Sequence, residues 1–294
     1  MKRENIHCYL CGNKGSEPVP GRVRDRPEIP ILRCTSCGLV FLGSFAHVHE
    51  AFYEGDYMDE NHSDQDWKSF LNDCRWDDER RFRQLLPLIV NRRYMDVGCG
   101  GGGVMLLAQS QCHSVRGVEP QRRWREAMAK EGLSVATSLD EVADESQEVI
   151  SLFHVLEHVP DPLPFLRKMI GKAARGGHVV IEVPNADDAL LTLYHSKAFS
   201  EFTYWSPHLF LYTQKTLGML LEKTGISRDT FVIQQYQRYP LSNHLMWLAQ
   251  GKPGGHLKWP FLDSPVLQGE YAAQLAKLGK CDTLIATIQV ATNE

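Results

Sequence analysis

Nowhere in these 294 residues does an apolar run approach the roughly 20 residues that a membrane helix needs, so no spanning helix is expected. Met1-Lys2-Arg3-Glu4-Asn5 leads into no apolar stretch, so no secretory signal is read there and a cytoplasmic location is expected. An excess of positive charge is missing too. Lys and Arg number 32 against 36 Asp and Glu, a formal charge of -4, which gives no bulk electrostatic hold on nucleic acid or anionic lipid. Internal repeats and low-complexity segments are absent. Beyond residue 40 cysteine is sparse, with Cys74, Cys99, Cys112 and Cys281 standing alone, and a reducing compartment makes disulfides improbable. What remains is an ordinary globular composition, 43% hydrophobic and 23% charged, in a chain long enough to bury a core without cross-links.

The other four cysteines are crowded together. Cys8-x-x-Cys11 and Cys34-x-x-Cys37 are two pairs with turn-forming neighbours, Gly12-Asn13 and Gly38. A two-residue gap lets both sulfurs of a tight turn face one ion, and Zn²⁺ takes four thiolates in a tetrahedron. The pattern reads as a zinc ribbon, two knuckles separated by a hairpin. With four thiolates the coordination sphere is closed, so the metal is expected to be structural. Residues 1–49 hold seven Lys/Arg against four acids, a balance of +3, and four thiolates with one Zn²⁺ bring it to about +1. From Glu50 to Glu79 the chain turns strongly acidic, the wrong sign for a nucleic-acid groove, and the acids themselves read as a solvated surface.

From residue 93 strands and helices alternate. Strands are expected at 93–97, 115–120, 133–136, 148–153, 178–184, 231–236 and 283–290, and helices at 104–109, 121–131, 162–171 and 214–223. Alternation of this kind predicts a mostly parallel, doubly wound sheet with helices on both faces. Before it, Trp67 to Val90 reads as an amphipathic helix interrupted at Pro87. The first strand runs into Gly98-Cys99-Gly100-Gly101-Gly102-Gly103, at the carboxyl end where such sheets bind ligands. Gly98-x-Gly100-x-x-Gly103 also fits a dinucleotide fingerprint. Asp96 bears on the choice, because a carboxylate there can receive an ammonium but repels a pyrophosphate. Glu119, ending the second strand, can take two ribose hydroxyls with either cofactor.

Asp96-Val97-Gly98-Cys99-Gly100-Gly101-Gly102, Glu119 and the run His154-Val155-Leu156-Glu157-His158-Val159-Pro160-Asp161-Pro162 resemble a class I S-adenosylmethionine-dependent methyltransferase. Ser206-Pro207-His208-Leu209-Phe210-Leu211-Tyr212-Thr213 and the helix after it resemble the same superfamily. The match covers about residues 80–236 and the last strand. It implies a Rossmann-like α/β fold of seven strands, mostly parallel and doubly wound, with the last strand inserted antiparallel beside the fifth. The ribbon ahead of such a domain is similar to sugar methyltransferases of deoxysugar biosynthesis. Sugar C-methyltransferases carry a further C-terminal domain not seen here, so O-methylation is expected instead. The organisation implied is a ribbon at 1–49, a helical linker or lid at 50–92, and a methyltransferase domain at 93–294 with an insertion at 241–280.

The resemblance also implies roles. Gly98, Cys99, Gly100 and Gly102 receive the methionine end of S-adenosylmethionine, with Asp96 near its ammonium. Glu119 and Pro120 flank the ribose, Ser138 and Leu139 the adenine, and Phe153 and His154 run past the sulfonium. His158 is the first candidate for the base that deprotonates a hydroxyl, oriented or replaced by Glu157, with His208 as the second. His154-x-x-Glu157-His158 with His208 also resembles a partial metal-binding set. Tyr53 and Tyr57 are candidates to cover the active site, and Tyr204-Trp205 to wall the acceptor. Specificity is expected in the 186–206 stretch and in the insertion, read as a binding loop, lid or dimer element. The expected partner is a small molecule, a sugar or sugar-linked metabolite, with a homodimer as a further expectation and no membrane or nucleic acid. The alternatives are a zinc-ribbon rRNA or tRNA methyltransferase and a non-catalytic binding module on the cofactor fold.

Overall fold

The computed structural model describes residues 7–48 and 66–292. In the first segment the knuckle at Cys8–Cys11 leads into strands β1 (Ser16–Pro18), β2 (Ile31–Cys34) and β3 (Val40–Leu42), paired antiparallel in that order. The second knuckle is the turn between β2 and β3. Tyr53 and Tyr57 lie outside the described residues.

Helix α1 (Trp67–Ile89) opens on Asp66, whose carboxylate accepts from the Ser69 N–H. It runs unbroken through Pro87, which corrects the expected interruption. The proline sits in the last turn, where the missing N–H removes a single helical bond, and the buried flanking side chains Leu85 and Ile89 hold that turn on the sheet.

The chain then alternates. Strand β4 (Arg93–Val97) is followed by α2 (Gly103–Ala108), β5 (Ser114–Val118), α3 (Arg122–Lys130), β6 (Ser134–Ala136), β7 (Gln147–Phe153), α4 (Pro162–Gly171) and β8 (Ala173–Pro184). Two short helices, α5 (Ala189–Thr192) and α6 (Lys197–Thr203), lead to β9 (Phe210–Leu211), α7 (Gln214–Lys223) and β10 (Phe231–Tyr236). The insertion is helical, α8 (Leu241–Gln250), α9 (Gly255–Lys258) and α10 (Pro265–Leu278), before the last strand β11 (Thr283–Gln289).

Seven strands form one sheet in the order β10-β11-β8-β7-β4-β5-β6. Strands β6, β5, β4, β7 and β8 run parallel, and β11 is inserted antiparallel between β8 and β10. These central strands are short, nearly continuous apolar runs such as Val149-Ile150-Ser151-Leu152, as a sheet covered on both faces requires. From β4 the chain winds outward to β6, then returns to β7 on the other side of β4. The order therefore reverses between β4 and β7, and their carboxyl ends open a crevice there.

Strand β9 leaves this domain and pairs antiparallel with β3, making the ribbon sheet four-stranded. Ribbon and domain accordingly share one apolar core, with Leu39, Val40, Phe41 and Leu42 packed in the same cluster as Ile150, Leu152 and Leu217.

Candidate active site

At the end of β4 the backbone turns sharply. Gly98 has φ +69°, and a methyl on its Cα would lie 2.4 Å from Val155 Cγ2. Gly100 has φ +52°, a backbone that glycine adopts freely, and the described atoms nearest to a Cβ there belong to the Phe70 ring at 3.9 Å. The start of α1 packs over the turn. Trp67 Nε1 donates to the Gly101 carbonyl at 2.9 Å, and Phe70 packs against Trp124 with ring centroids 4.4 Å apart.

Carboxylates ring the turn. Glu119 is buried, and its oxygens accept the N–H groups of Gly100 and Gln121, each at 2.9 Å. Asp96 is buried at the end of β4, where burial above all pushes its carboxyl up to about 7. Asp78 of α1 fills the space that a Cβ on Gly103 would occupy, and burial raises it to about 6. Two buried carboxyls so raised are a setting that a cation would relieve. Ser138 caps the turn at Leu139–Glu141 by accepting the Asp140 N–H, Leu139 is buried beside it, and Pro120 follows Glu119 directly. Cys99 Sγ lies 3.9 Å from Met128 Sδ.

Past β7 lies the second group. Phe153 carries the Arg81 guanidinium 5.0 Å above its ring. His154 adopts φ +54°, a left-handed backbone uncommon for a residue with a side chain, and its N–H donates to the Glu182 carbonyl at 2.9 Å. Its ring sits between two carboxylates, Nδ1 at 3.1 Å from Glu157 Oε1 and Nε2 at 3.2 Å from Glu182 Oε1. Burial opposes the imidazolium there, but the two carboxylates outweigh it and hold His154 at about 9. His158 Nδ1 lies 3.1 Å from the Pro207 carbonyl, and burial pushes its ring below the usual histidine value. His208 stacks edge-on against His158 with centroids 4.8 Å apart, and burial together with His158 lowers it to about 3. Trp205 closes this wall, 5.7 Å from His208, with the Arg24 guanidinium 4.6 Å from its ring. One donor atom each from Glu157, His158 and His208 lies within 4.8 Å of the others. His154, turned between Glu157 and Glu182, stands outside that set.

The sequence-selected residues thus fall into two groups, one around the turn after β4 and one past β7, on adjacent strands. A methyltransferase-domain family model matches residues 69–227, more than half of the chain and all of this crevice.

The chain belongs to the methyltransferase domain family.

The domain is of the class I S-adenosylmethionine-dependent type, and the described residues, a glycine turn with carboxylates on both sides, fit that cofactor. The chain is 30% identical to a ubiquinone biosynthesis O-methyltransferase of Vibrio vulnificus, the match covering 37% of this chain and 57% of that protein. It is 28% identical to the protein of the same name from Aliivibrio fischeri, with the same coverage. The match therefore spans a little over half the length of these curated relatives. Among solved structures, one chain of a complex between a Haloferax volcanii methyltransferase activator and a methyltransferase shares the fold at TM-score 0.51 and 12% identity, covering 76% of this chain and 92% of that one.

In the ribbon the four cysteines converge. Cys8 Sγ is 3.5 Å from Cys37 Sγ, and Cys11 Sγ is 3.5 Å from Cys34 Sγ, too far for disulfides and near the edge of a zinc–thiolate tetrahedron. This donor set is compatible with one structural Zn²⁺.

Several residues around the site escaped the sequence reading. Glu182 is fully buried and accepts two hydrogen bonds from Arg80, each 2.8 Å, and others from Arg81 at 3.1 and 3.2 Å. Asp77, itself buried, pairs with Arg80 at 3.0 Å and with Arg238. Asp77 and Asp78 were part of an acidic run expected to solvate a surface. Both are internal, and this corrects that expectation. The signal that could have found them is spacing, since Asp77 and Asp78 each stand three residues before an arginine, Arg80 and Arg81, on one helix face.

Proposed function

We propose that the protein is an S-adenosylmethionine-dependent O-methyltransferase acting on a small polar acceptor, a sugar or sugar-linked metabolite. What supports the reading most is the pair of lowered histidines, buried His158 and half-buried His208, beside Glu157 and one strand away from the glycine turn. When bound, S-adenosylmethionine supplies an electrophilic methyl group on a cationic sulfur. Gly98, Cys99, Gly100, Gly102 and Asp96 would hold its methionine end, Glu119 and Pro120 the ribose, and Ser138 and Leu139 the adenine. Phe153 and His154 would run past the sulfonium. A hydroxyl acceptor must lose its proton, and His158, kept neutral by burial, can take it. Glu157 and His208 stand beside it to orient it or to take over that role. Trp205, braced by Arg24, offers an aromatic face for a sugar ring or another flat apolar surface. Oxygen as the methylated atom agrees with the name of the curated relatives, and the sugar with the ribbon ahead of the domain.

A second reading is favoured by one observation. Glu157 Oε2 is buried without a hydrogen-bond partner among the described residues, in reach of His158 and His208. A divalent ion held by these three would lower the pKa of an acceptor hydroxyl and make a base dispensable.

The test is methyl transfer from labelled S-adenosylmethionine to a panel of nucleotide-linked sugars and phenols, with calorimetry of S-adenosylhomocysteine alongside. His158→Ala should cut turnover about 10²–10⁴-fold and leave S-adenosylhomocysteine bound as before. Turnover lost on chelation and restored by Mg²⁺ or Mn²⁺ would select the ion. A chain that binds no S-adenosylhomocysteine would end both readings.

A further inference from the structure

Asp96 does not stand alone under the glycine turn. Ser151, on the neighbouring strand β7 and fully buried, brings its Oγ to 2.5 Å from Asp96 Oδ1. When Asp96 is ionised it can only accept, so the serine donates. Tyr94, two residues before Asp96 on the same face of β4, brings its hydroxyl to 2.7 Å from the same Ser151 Oγ. Serine has one proton and has committed it to Asp96, so the tyrosine donates in turn. The chain of donors therefore runs one way, from Tyr94 to Ser151 to Asp96. All three are buried, and the parallel register of β4 on β7 places Asp96 directly opposite Ser151. No hydrogen bond from a described residue reaches the other oxygen, Oδ2.

We propose that Tyr94 and Ser151 are positioning residues, a buried relay that pins one oxygen of Asp96 and turns the other toward the ammonium group of the bound cofactor. The inference rests on the cofactor reading above and adds to it the means by which the carboxylate is aimed. A free carboxylate at a strand end can rotate about its last bond. One fixed from behind by a short charge-assisted hydrogen bond meets a cation without first losing that freedom. The relay also favours the ionised form that an ammonium needs. The charged groups facing Asp96 are Asp78 and Arg81 of α1 and Glu119 at the end of β5. Burial and the two acids work against ionisation, while Ser151 and Arg81 work for it.

The decisive experiment compares two ligands on the full chain. S-adenosylhomocysteine carries the ammonium, whereas 5′-methylthioadenosine keeps the adenosine and the sulfur but lacks the amino-acid end. In calorimetry at pH 7.5, Ser151→Ala should weaken S-adenosylhomocysteine about tenfold and leave methylthioadenosine within about twofold, as expected for loss of a hydrogen bond to a charged group. Tyr94→Phe should give a smaller loss of the same kind. In an Asp96→Asn background, Ser151→Ala should add nothing further. The pH profile gives an independent readout. Asp96 in the unliganded protein lies at about 7, so wild-type affinity for S-adenosylhomocysteine should be full above that pH and decline as pH falls through it. Without the serine that decline should begin at higher pH. Equal weakening of both ligands would reduce Ser151 to a packing role, and unchanged binding of both would remove it from the site. Either result overturns the proposal. Failure of the wild-type chain to bind either ligand would instead overturn the cofactor reading beneath it.

Discussion

Glu182 occupies a position where a charge is costly, fully buried on a central strand, and three cations are spent on keeping it there. Arg80 grips it with both guanidinium nitrogens, Arg81 adds a second guanidinium, and the His154 ring stands 3.2 Å away. Burial alone would protonate Glu182, but His154 and the arginines hold its carboxyl well below the usual range. The arrangement ties the middle of α1 to the strand end beside the catalytic crevice and supports the left-handed backbone of His154 from two sides. Truncating the carboxylate would leave Arg80 buried without its main partner. Glu182→Ala should therefore cost about 3–5 kcal/mol of stability, seen as a lower urea midpoint at unchanged slope. Glu182→Gln, which keeps an acceptor but not the charge, should fall between the two. A Glu182→Ala midpoint within error of wild type would mean that the cluster is replaceable by solvent.

Elements differ in how openly the sequence declares them. Strands β4 and β10 and helices α4 and α7 lie where composition and flanking residues put them, because each pairs a clear apolar period with a Pro, Thr or Gly boundary. Helix α1 overran its Pro87, since tertiary packing of Leu85 and Ile89 outweighs a single lost bond. Strand β9 was not legible. Two residues, Phe210–Leu211, show no period, and their partner β3 lies some 170 positions earlier. The candidate site residues on strand ends could be picked out because the glycine run and the His-rich run are local signals. The arginine cluster was not, because its meaning depends on which strand α1 covers. A similar long-range dependence governs the start of α4. That helix opens on Asp161-Pro162-Leu163 with no side-chain cap of its own. Tyr9, from the first cysteine knuckle, supplies one, since its hydroxyl accepts the Leu163 N–H at 3.0 Å and bonds the Asp161 carboxylate. Tyr9→Phe removes both bonds while keeping the ring against Phe210. The expected cost is about 1 kcal/mol, typical of a lost helix cap, measured by denaturant unfolding.

Taken as a whole, the molecule connects its ribbon to one side of the crevice. The described hydrogen bonds from ribbon to domain go to Asp161–Leu163 and to the 204–211 segment. Asp25 accepts the N–H and hydroxyl of Ser206 at 3.0 and 2.6 Å, His47 meets the Ser206 carbonyl at 2.8 Å, and Arg24 and Leu42 donate to Tyr204 and Leu209. These segments carry or flank Glu157, His158, Trp205 and His208, the acceptor side. The glycine turn is braced from elsewhere, by α1 and β7. Four thiolates closed on one Zn²⁺ would hold the knuckles, since so small a sheet has little core of its own. Removing the metal should then loosen the acceptor side selectively. After treatment with a strong zinc chelator, amide exchange should quicken in 7–48, 156–163 and 204–211, with 93–120 still protected. Affinity for S-adenosylhomocysteine should stay within about twofold, because a local opening need not unfold its neighbours. Methyl transfer should fall in parallel with exchange at 204–211. Exchange rising uniformly through the seven-stranded sheet would show that ribbon and domain unfold as a single unit, and exchange confined to 7–48 would show that the ribbon braces nothing.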